Sequence, residues 1–233
     1  DETLTGGAGA DTIDGRGGAD VVIAGGGADR VTFHGGEQSL DGGAGSDTLI
    51  MASLGGVTAV DLGVAPGVDQ TTGDGAEITG FENIDASALG LTEALAVAGS
   101  SGANTITGGG GADTIDGAGG SDVIVAGAGN DRVSYRGTET SIGGGTGTNT
   151  LMLVAAATVD LAAGDQTVGD TTTVTGFQAV NASAVGADLQ LSGTTGADTI
   201  IGGSGADTII GRGGADSLSG GSGDDRMTLA GGE

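Results

Sequence analysis

The feature that most constrains this chain is a nine-residue period. From Gly6 it reads GGAGADTID, GRGGADVVI, AGGGADRVT, FHGGEQSLD and GGAGSDTLI, ending at Ile50. The period lapses and resumes at Gly99 with GSSGANTIT, GGGGADTID, GAGGSDVIV, AGAGNDRVS, YRGTETSIG and GGTGTNTLM. It resumes again at Gly193 with GTTGADTII, GGSGADTII, GRGGADSLS and GGSGDDRMT. With the truncated unit at Glu2 to Thr5 there are sixteen units, and the eighth position is apolar in all of them, from Leu4 and Ile13 to Leu218 and Met227. A unit of six Gly-rich residues followed by polar-apolar-polar is a turn and a strand too short to fold alone. Stacking must complete it, with one inward side chain per nine residues.

Two units make one coil of two turns and two short strands, so unit n lies over unit n+2 at about 4.8 Å in a parallel stack. The sixth position is Asp in eleven units: Asp11, Asp20, Asp29, Asp47, Asp113, Asp122, Asp131, Asp198, Asp207, Asp216 and Asp225. The stack therefore carries two files of carboxylates, one along each edge. Neighbours about 5 Å apart repel by roughly 1 kcal/mol in water and by more at lower dielectric. The chain has 31 acidic residues against 6 Lys and Arg, a net charge of -25, so it needs a cation. Calcium fits, because oxygens on opposite sides of an ion with ligands at about 2.3–2.6 Å are spaced like the coil rise. Glycine lets backbone carbonyls turn toward the ion as neutral ligands. There is no Cys to serve as a staple or thiolate ligand. The same acidity excludes nucleic acid as a partner, and no apolar run approaches the roughly 18 residues that insert in a membrane.

The units GGAGADTID, GGAGSDTLI, GGGGADTID and GGSGADTII match the nonapeptide GGxGxDxUx, and the chain thereby resembles the RTX (repeats-in-toxin) calcium-binding β-roll proteins. The resemblance implies an all-β fold, a parallel β-roll (β-solenoid) of stacked calcium-binding nonapeptide coils with longer irregular coils between blocks. It also implies export by a type I pathway from a Gram-negative cell.

Pairing n with n+2 names the expected sites. Two-Asp sites are Asp11 with Asp29, Asp29 with Asp47, Asp113 with Asp131, Asp198 with Asp216, and Asp207 with Asp225. Asp20 with Glu2, Asp122 with Asn104, and Asp131 with Asn149 make weaker ones, about eight calcium ions in all. The units beginning at Phe33 and Tyr135 carry Gln38 and Thr140 in place of Asp and are expected to be metal-poor.

The chain is read as one continuous solenoid over 1–233, with RTX blocks at 1–51, 99–153 and 193–228 and irregular connecting coils at 52–98 and 154–192. The irregular coils resemble each other. Val60-Asp61-Leu62 recurs as Val159-Asp160-Leu161, Asp69-Gln70 as Asp165-Gln166, and the segment around Phe81 as that around Phe177. Glu82 becomes Gln178, which argues against a required metal site there. His34 corresponds to Arg136 and reads as a surface residue, Tyr135 corresponds to Phe33 and reads as packing, and Arg30, Arg132 and Arg226 are expected to form exposed ion pairs.

No catalytic set recurs: there is no Lys, no HExxH, no GxSxG and no second His, so the chain is not expected to be an enzyme. The expected function is a calcium-binding structural segment of a secreted or cell-surface bacterial protein of S-layer or adhesin type, folding on extracellular calcium. Its partners would be calcium ions, copies of itself or other cell-surface components. The alternative is the repeat region of a secreted protease, lipase or epimerase whose catalytic domain lies elsewhere. An ice-binding face would need a file of Thr and Asn at turn positions three and five, and only Thr146 with Thr148 comes close.

Overall fold

The computed structural model describes residues 1–229, which form twenty-seven short strands and no helix. The closing Gly231 to Glu233 lies outside the described residues. Leu4 pairs with Val22, Val22 with Leu40, and Ile13 with Val31. The offset is 18 residues, two nonapeptides, and these ladders are parallel. Successive strands of the chain alternate between two opposed files, file one starting with Thr3–Gly7 and file two with Thr12–Asp14, which gives a parallel β-solenoid.

The strand is short because only its middle residue faces inward. In Thr105–Thr107 and Thr114–Asp116 the central Ile106 and Ile115 are fully buried while Thr105 and Thr114 face solvent. The eighth position is buried from Val22 to Ile209 and opens only at the two ends, where Leu4, Ile13 and Leu218 are partly buried and Met227 is exposed. The first position of some units adds a second inward residue that the one-per-nine pattern does not anticipate: Ala24, Phe33, Ala126 and Tyr135 are buried. Phe33 and Tyr135 pack as expected, and the Tyr135 hydroxyl also donates to Asp170 at 2.9 Å.

The irregular segments depart from the unit pattern by reversing direction. In file one the strand Glu77–Thr79 lies on Ser39–Asp41. The Ile78 carbonyl accepts the Gln70 N–H at 2.7 Å, and Thr71–Thr72 runs antiparallel to Ala59–Asp61, which pairs onward with Ala96–Ala98. The second segment repeats this in file two. There Val174 O accepts the Gln166 N–H, Thr167–Val168 runs antiparallel to Thr158–Asp160, and that strand pairs with Gln190–Ser192. On the opposite file each segment adds a single strand, Asn83–Asp85 between Thr48–Met51 and Thr105–Thr107, or Ala179–Asn181 between Thr150–Leu153 and Thr199–Ile201. Equivalent segments land on opposite files because an odd number of half-coils separates them. Each file ends with thirteen strands.

One side chain closes each reversal. Gln70 Nε2 donates to the Phe81 carbonyl at 2.7 Å and its Oε1 accepts the Phe81 N–H at 2.9 Å. Gln166 does the same for Phe177. The glutamine amide thus substitutes for a missing strand, satisfying backbone groups that would otherwise be buried without partners.

Candidate metal centre

Every strand of the regular coils is entered through the sixth position, and where that residue is an internal Asp the structure buries it. Asp20, Asp29, Asp47, Asp113, Asp122, Asp131, Asp198 and Asp207 are all at most 3% exposed, while Asp11, Asp216 and Asp225, nearer the ends, are partly exposed. Asp11, Asp29, Asp47, Asp122, Asp207 and Asp225 precede strands of file two. Asp20, Asp113, Asp131, Asp198 and Asp216 precede strands of file one.

Nine of the eleven aspartates use Oδ1 to hold the rung before. The backbone N–H of Asp11 donates to Asp29 Oδ1, Asp29 to Asp47, Asp113 to Asp131, Asp198 to Asp216 and Asp207 to Asp225, at 2.8 to 3.1 Å. Glu2 donates to Asp20, Asn104 to Asp122 and Asp131 to Asn149 in the same way, and Leu95 and Leu189 to Asp113 and Asp207. All eight expected pairs therefore meet. Each is joined by an N–H to a side-chain oxygen, and among the described residues no three acidic or His side chains converge. A cation held here would take one carboxylate oxygen and otherwise backbone carbonyls.

The sequence reading missed that Glu82 and Gln178 belong to the same series. Glu82 Oε2 accepts the Asp47 N–H and Gln178 Oε1 the Asn149 N–H, both at 2.8 Å. The signal was Ile84 and Val180, which stand two residues later as an eighth position should. The clamp needs only an oxygen, which explains why Glu can become Gln.

The second oxygen does need a charge. Oδ2 of Asp20, Asp29, Asp47, Asp122 and Asp131 is buried with no hydrogen-bond partner. An unpaired buried carboxylate oxygen costs several kcal/mol. What faces it is visible at Asn149, the natural neutral substitute. Its Nδ2 donates to the carbonyls of Gly144 at 2.8 Å and Gly176 at 3.0 Å, the first residues of its own turn and of the next rung. Where Asn149 places an NH2 between two carbonyls, an Asp in the same turn would place an oxygen, and three oxygens would then surround one point. At Gly15 the space beside the aspartate is too small for a side chain, since a methyl there would lie 2.6 Å from Asp20 Oδ2. An all-oxygen set of one carboxylate and neutral carbonyls suits a hard divalent cation, and calcium tolerates its irregular geometry.

The two Asp-free loops have the opposite polarity. Glu37 takes the N–H groups of His34, Gly35 and Gly36, and Glu139 those of Arg136, Gly137 and Thr138. Donors converge there on a resident carboxylate. His34 and Arg136 lie at the surface and pair with Asp14 and Asp116 on the preceding coil. Of the expected arginine pairs, Arg30 forms one, with Asp85 at 3.1 Å.

Burial pushes the carboxyls of Asp47, Asp113, Asp122, Asp131 and Glu82 above the usual carboxylate range. In the calcium-free chain these groups contribute stability that is fully present below about pH 4 and lost as pH rises through their raised values. The hydrogen bonds from His34, Arg136 and Arg212 hold Asp14, Asp116 and Asp160 below that range. Their contribution is present above about pH 4 and lost on further acidification. Strand content of the chelated protein, read by circular dichroism, is therefore expected to rise from neutral pH toward about 4 and fall below it. A steady loss throughout acidification would contradict this.

The family model described as the RTX calcium-binding nonapeptide repeat matches four stretches, residues 1–31, 34–50, 98–133 and 192–227, together more than half of the chain. No curated protein matches. The matched residues are the coils that carry the two aspartate files, and the chain accordingly belongs to the family of RTX calcium-binding repeat proteins.

Proposed function

We propose that this chain is a structural segment of a secreted or cell-surface bacterial protein, of S-layer or adhesin kind, exported as an extended chain by a type I pathway and folded by extracellular calcium. The observation that carries the reading is the set of five buried, unpartnered Oδ2 atoms. In a cytosol poor in free calcium their burial opposes folding. Bound calcium supplies the positive charge that offsets the buried oxygens, and its binding free energy becomes folding free energy. The chain's own residues do the rest: Oδ1 ties each rung to its neighbour, and the apolar eighth positions close the core. The segment acts by holding a shape and carries no catalytic step of its own.

Labelling of intact cells that produce the full parent protein, with an antibody raised to this segment, tests the location. Surface labelling in millimolar calcium that falls after chelation is expected. Labelling seen only after permeabilisation would rule the assignment out.

A further inference from the structure

The nonapeptide signature treats its aspartates alike, but the backbone sorts their turns into two kinds. In the turns leading to Asp20, Asp29, Asp47, Asp122 and Asp131 the second residue is left-handed: Arg16 (φ 69°), Gly25 (φ 109°), Gly43 (φ 90°), Ala118 (φ 62°) and Gly127 (φ 109°). Arg16 and Ala118 adopt this conformation despite the steric cost to a residue with a Cβ. These five turns hold the five orphan Oδ2 atoms. The turns leading to Asp113, Asp198 and Asp207 have no positive φ at the second or the fourth residue. Their second-residue N–H points inward instead: Gly109 donates to Asp113 Oδ2 at 2.8 Å, Thr194 to Asp198 Oδ2 at 2.6 Å and Gly203 to Asp207 Oδ2 at 2.7 Å.

Two asparagines report the same difference. Asn149 lies in a left-handed turn (Gly145, φ 78°) and turns its NH2 to carbonyls. Asn104 lies in a turn of the second kind. Its Oδ1 accepts the Ser100 N–H at 2.7 Å, and its NH2 is sent away to the Glu82 carbonyl of the rung before. A backbone N–H can only donate and a carbonyl only accept, so the two orientations are fixed by the turns. One kind of turn presents acceptors and calls for a positive group; the other presents a donor and completes a carboxylate without one.

The four donor-presenting turns are the first on each edge after an irregular segment. Those at Gly109 and Gly203 sit directly on that segment's own tight turn. Gly110 N–H donates to Leu89 O and Ser204 N–H to Val185 O.

We infer that only the acceptor-presenting turns take calcium, and that Asp113, Asp198 and Asp207, though they match the signature, are capped by backbone hydrogen bonds and form metal-free starting rungs of the second and third blocks. This rests on the calcium-binding reading of the family. It changes the expected sites: Asp198 with Asp216 and Asp207 with Asp225 lose their first member, and Asp113 drops out of its pair with Asp131.

Equilibrium dialysis against calcium-45 measures ions bound per chain. The triple variant Asp113→Asn, Asp198→Asn, Asp207→Asn is expected to bind as many ions as the unaltered protein, whereas Asp29→Asn and Asp122→Asn each lose at least one. A lower count in the triple variant, folded as judged by circular dichroism in saturating calcium, overturns the inference. Should the triple variant not fold, carbon-13 spectra of the unaltered protein decide. The Asp Cγ signals of Asp20, Asp29, Asp47, Asp122 and Asp131 are expected to shift on calcium titration while those of Asp113, Asp198 and Asp207 stay within the spread of surface aspartates. Equal shifts in both sets overturn it. An unaltered protein that binds no calcium would instead overturn the family reading beneath it.

Discussion

Removal of calcium by excess chelator at pH 7 is expected to abolish the strand signal in far-ultraviolet circular dichroism, and readdition to restore it in a steep transition. The magnitudes decide this. Five buried carboxylates each have one oxygen without a partner, and each such charge costs several kcal/mol. A whole domain is stable by only about 5–15 kcal/mol. The apolar column cannot make up the difference, because each nonapeptide contributes about one fully buried side chain, worth about 1.5–3 kcal/mol. Steepness follows from the clamps. Asp29 Oδ1 holds Asp11 while the N–H of Asp29 is held by Asp47, so loading one turn orders the next. Asp29→Asn provides an internal control. It keeps an oxygen for the clamp and offers an NH2 to the facing carbonyls, as Asn149 does, so it should leave more residual structure without calcium than Asp29→Ala. Undiminished strand content after chelation of the unaltered protein would remove the role assigned to the orphan oxygens.

Replacement of Phe177 by Ala is expected to cost about 3–5 kcal/mol in saturating calcium, the range for emptying a large buried aromatic site. Phe177 is 1% exposed and sits where the regular column is interrupted. Its backbone is fixed at both polar groups by Gln166, so the chain cannot readily move in to fill the space. In a solenoid each rung rests on its neighbours alone. The loss should therefore separate the third block from the rest, seen in urea titration as a second, earlier transition and in hydrogen exchange as faster exchange of strands Thr199–Ile201 and Thr208–Ile210. A loss below about 1 kcal/mol, the size of a typical surface or peripheral change, would show that Phe177 does not brace the junction.

The sequence alone determined the stacking. A strict apolar eighth position on a nine-residue period leaves one register that buries every such residue, and two units per coil make that register 18 residues, as the pairing of Val22 with Leu4 and of Val31 with Ile13 displays. It also determined which residues lie beside the strands as acidic files, because Asp recurs two residues before the apolar position in eleven of the sixteen units. The likeness between the irregular segments pointed to Gln70, Gln166, Phe81 and Phe177, though not to the amide that replaces a strand.

Tertiary structure decided the rest. Glu82 and Gln178 join the Asp series only because the reversed strands return the chain to the height of Asp47 and Asn149. Val60 and its counterpart Val159 fall on opposite files, since the count of half-coils between them sets the side and local sequence does not. Whether a turn faces its aspartate with a carbonyl or with an N–H depends on what lies beneath it. Gly25 and Gly109 occupy the same place in the repeat, yet Gly25 is left-handed over a regular coil and Gly109 is not, packed as it is against the Ala86 to Leu89 turn. Glycine permits both conformations at similar energy, so the neighbouring rung makes the choice.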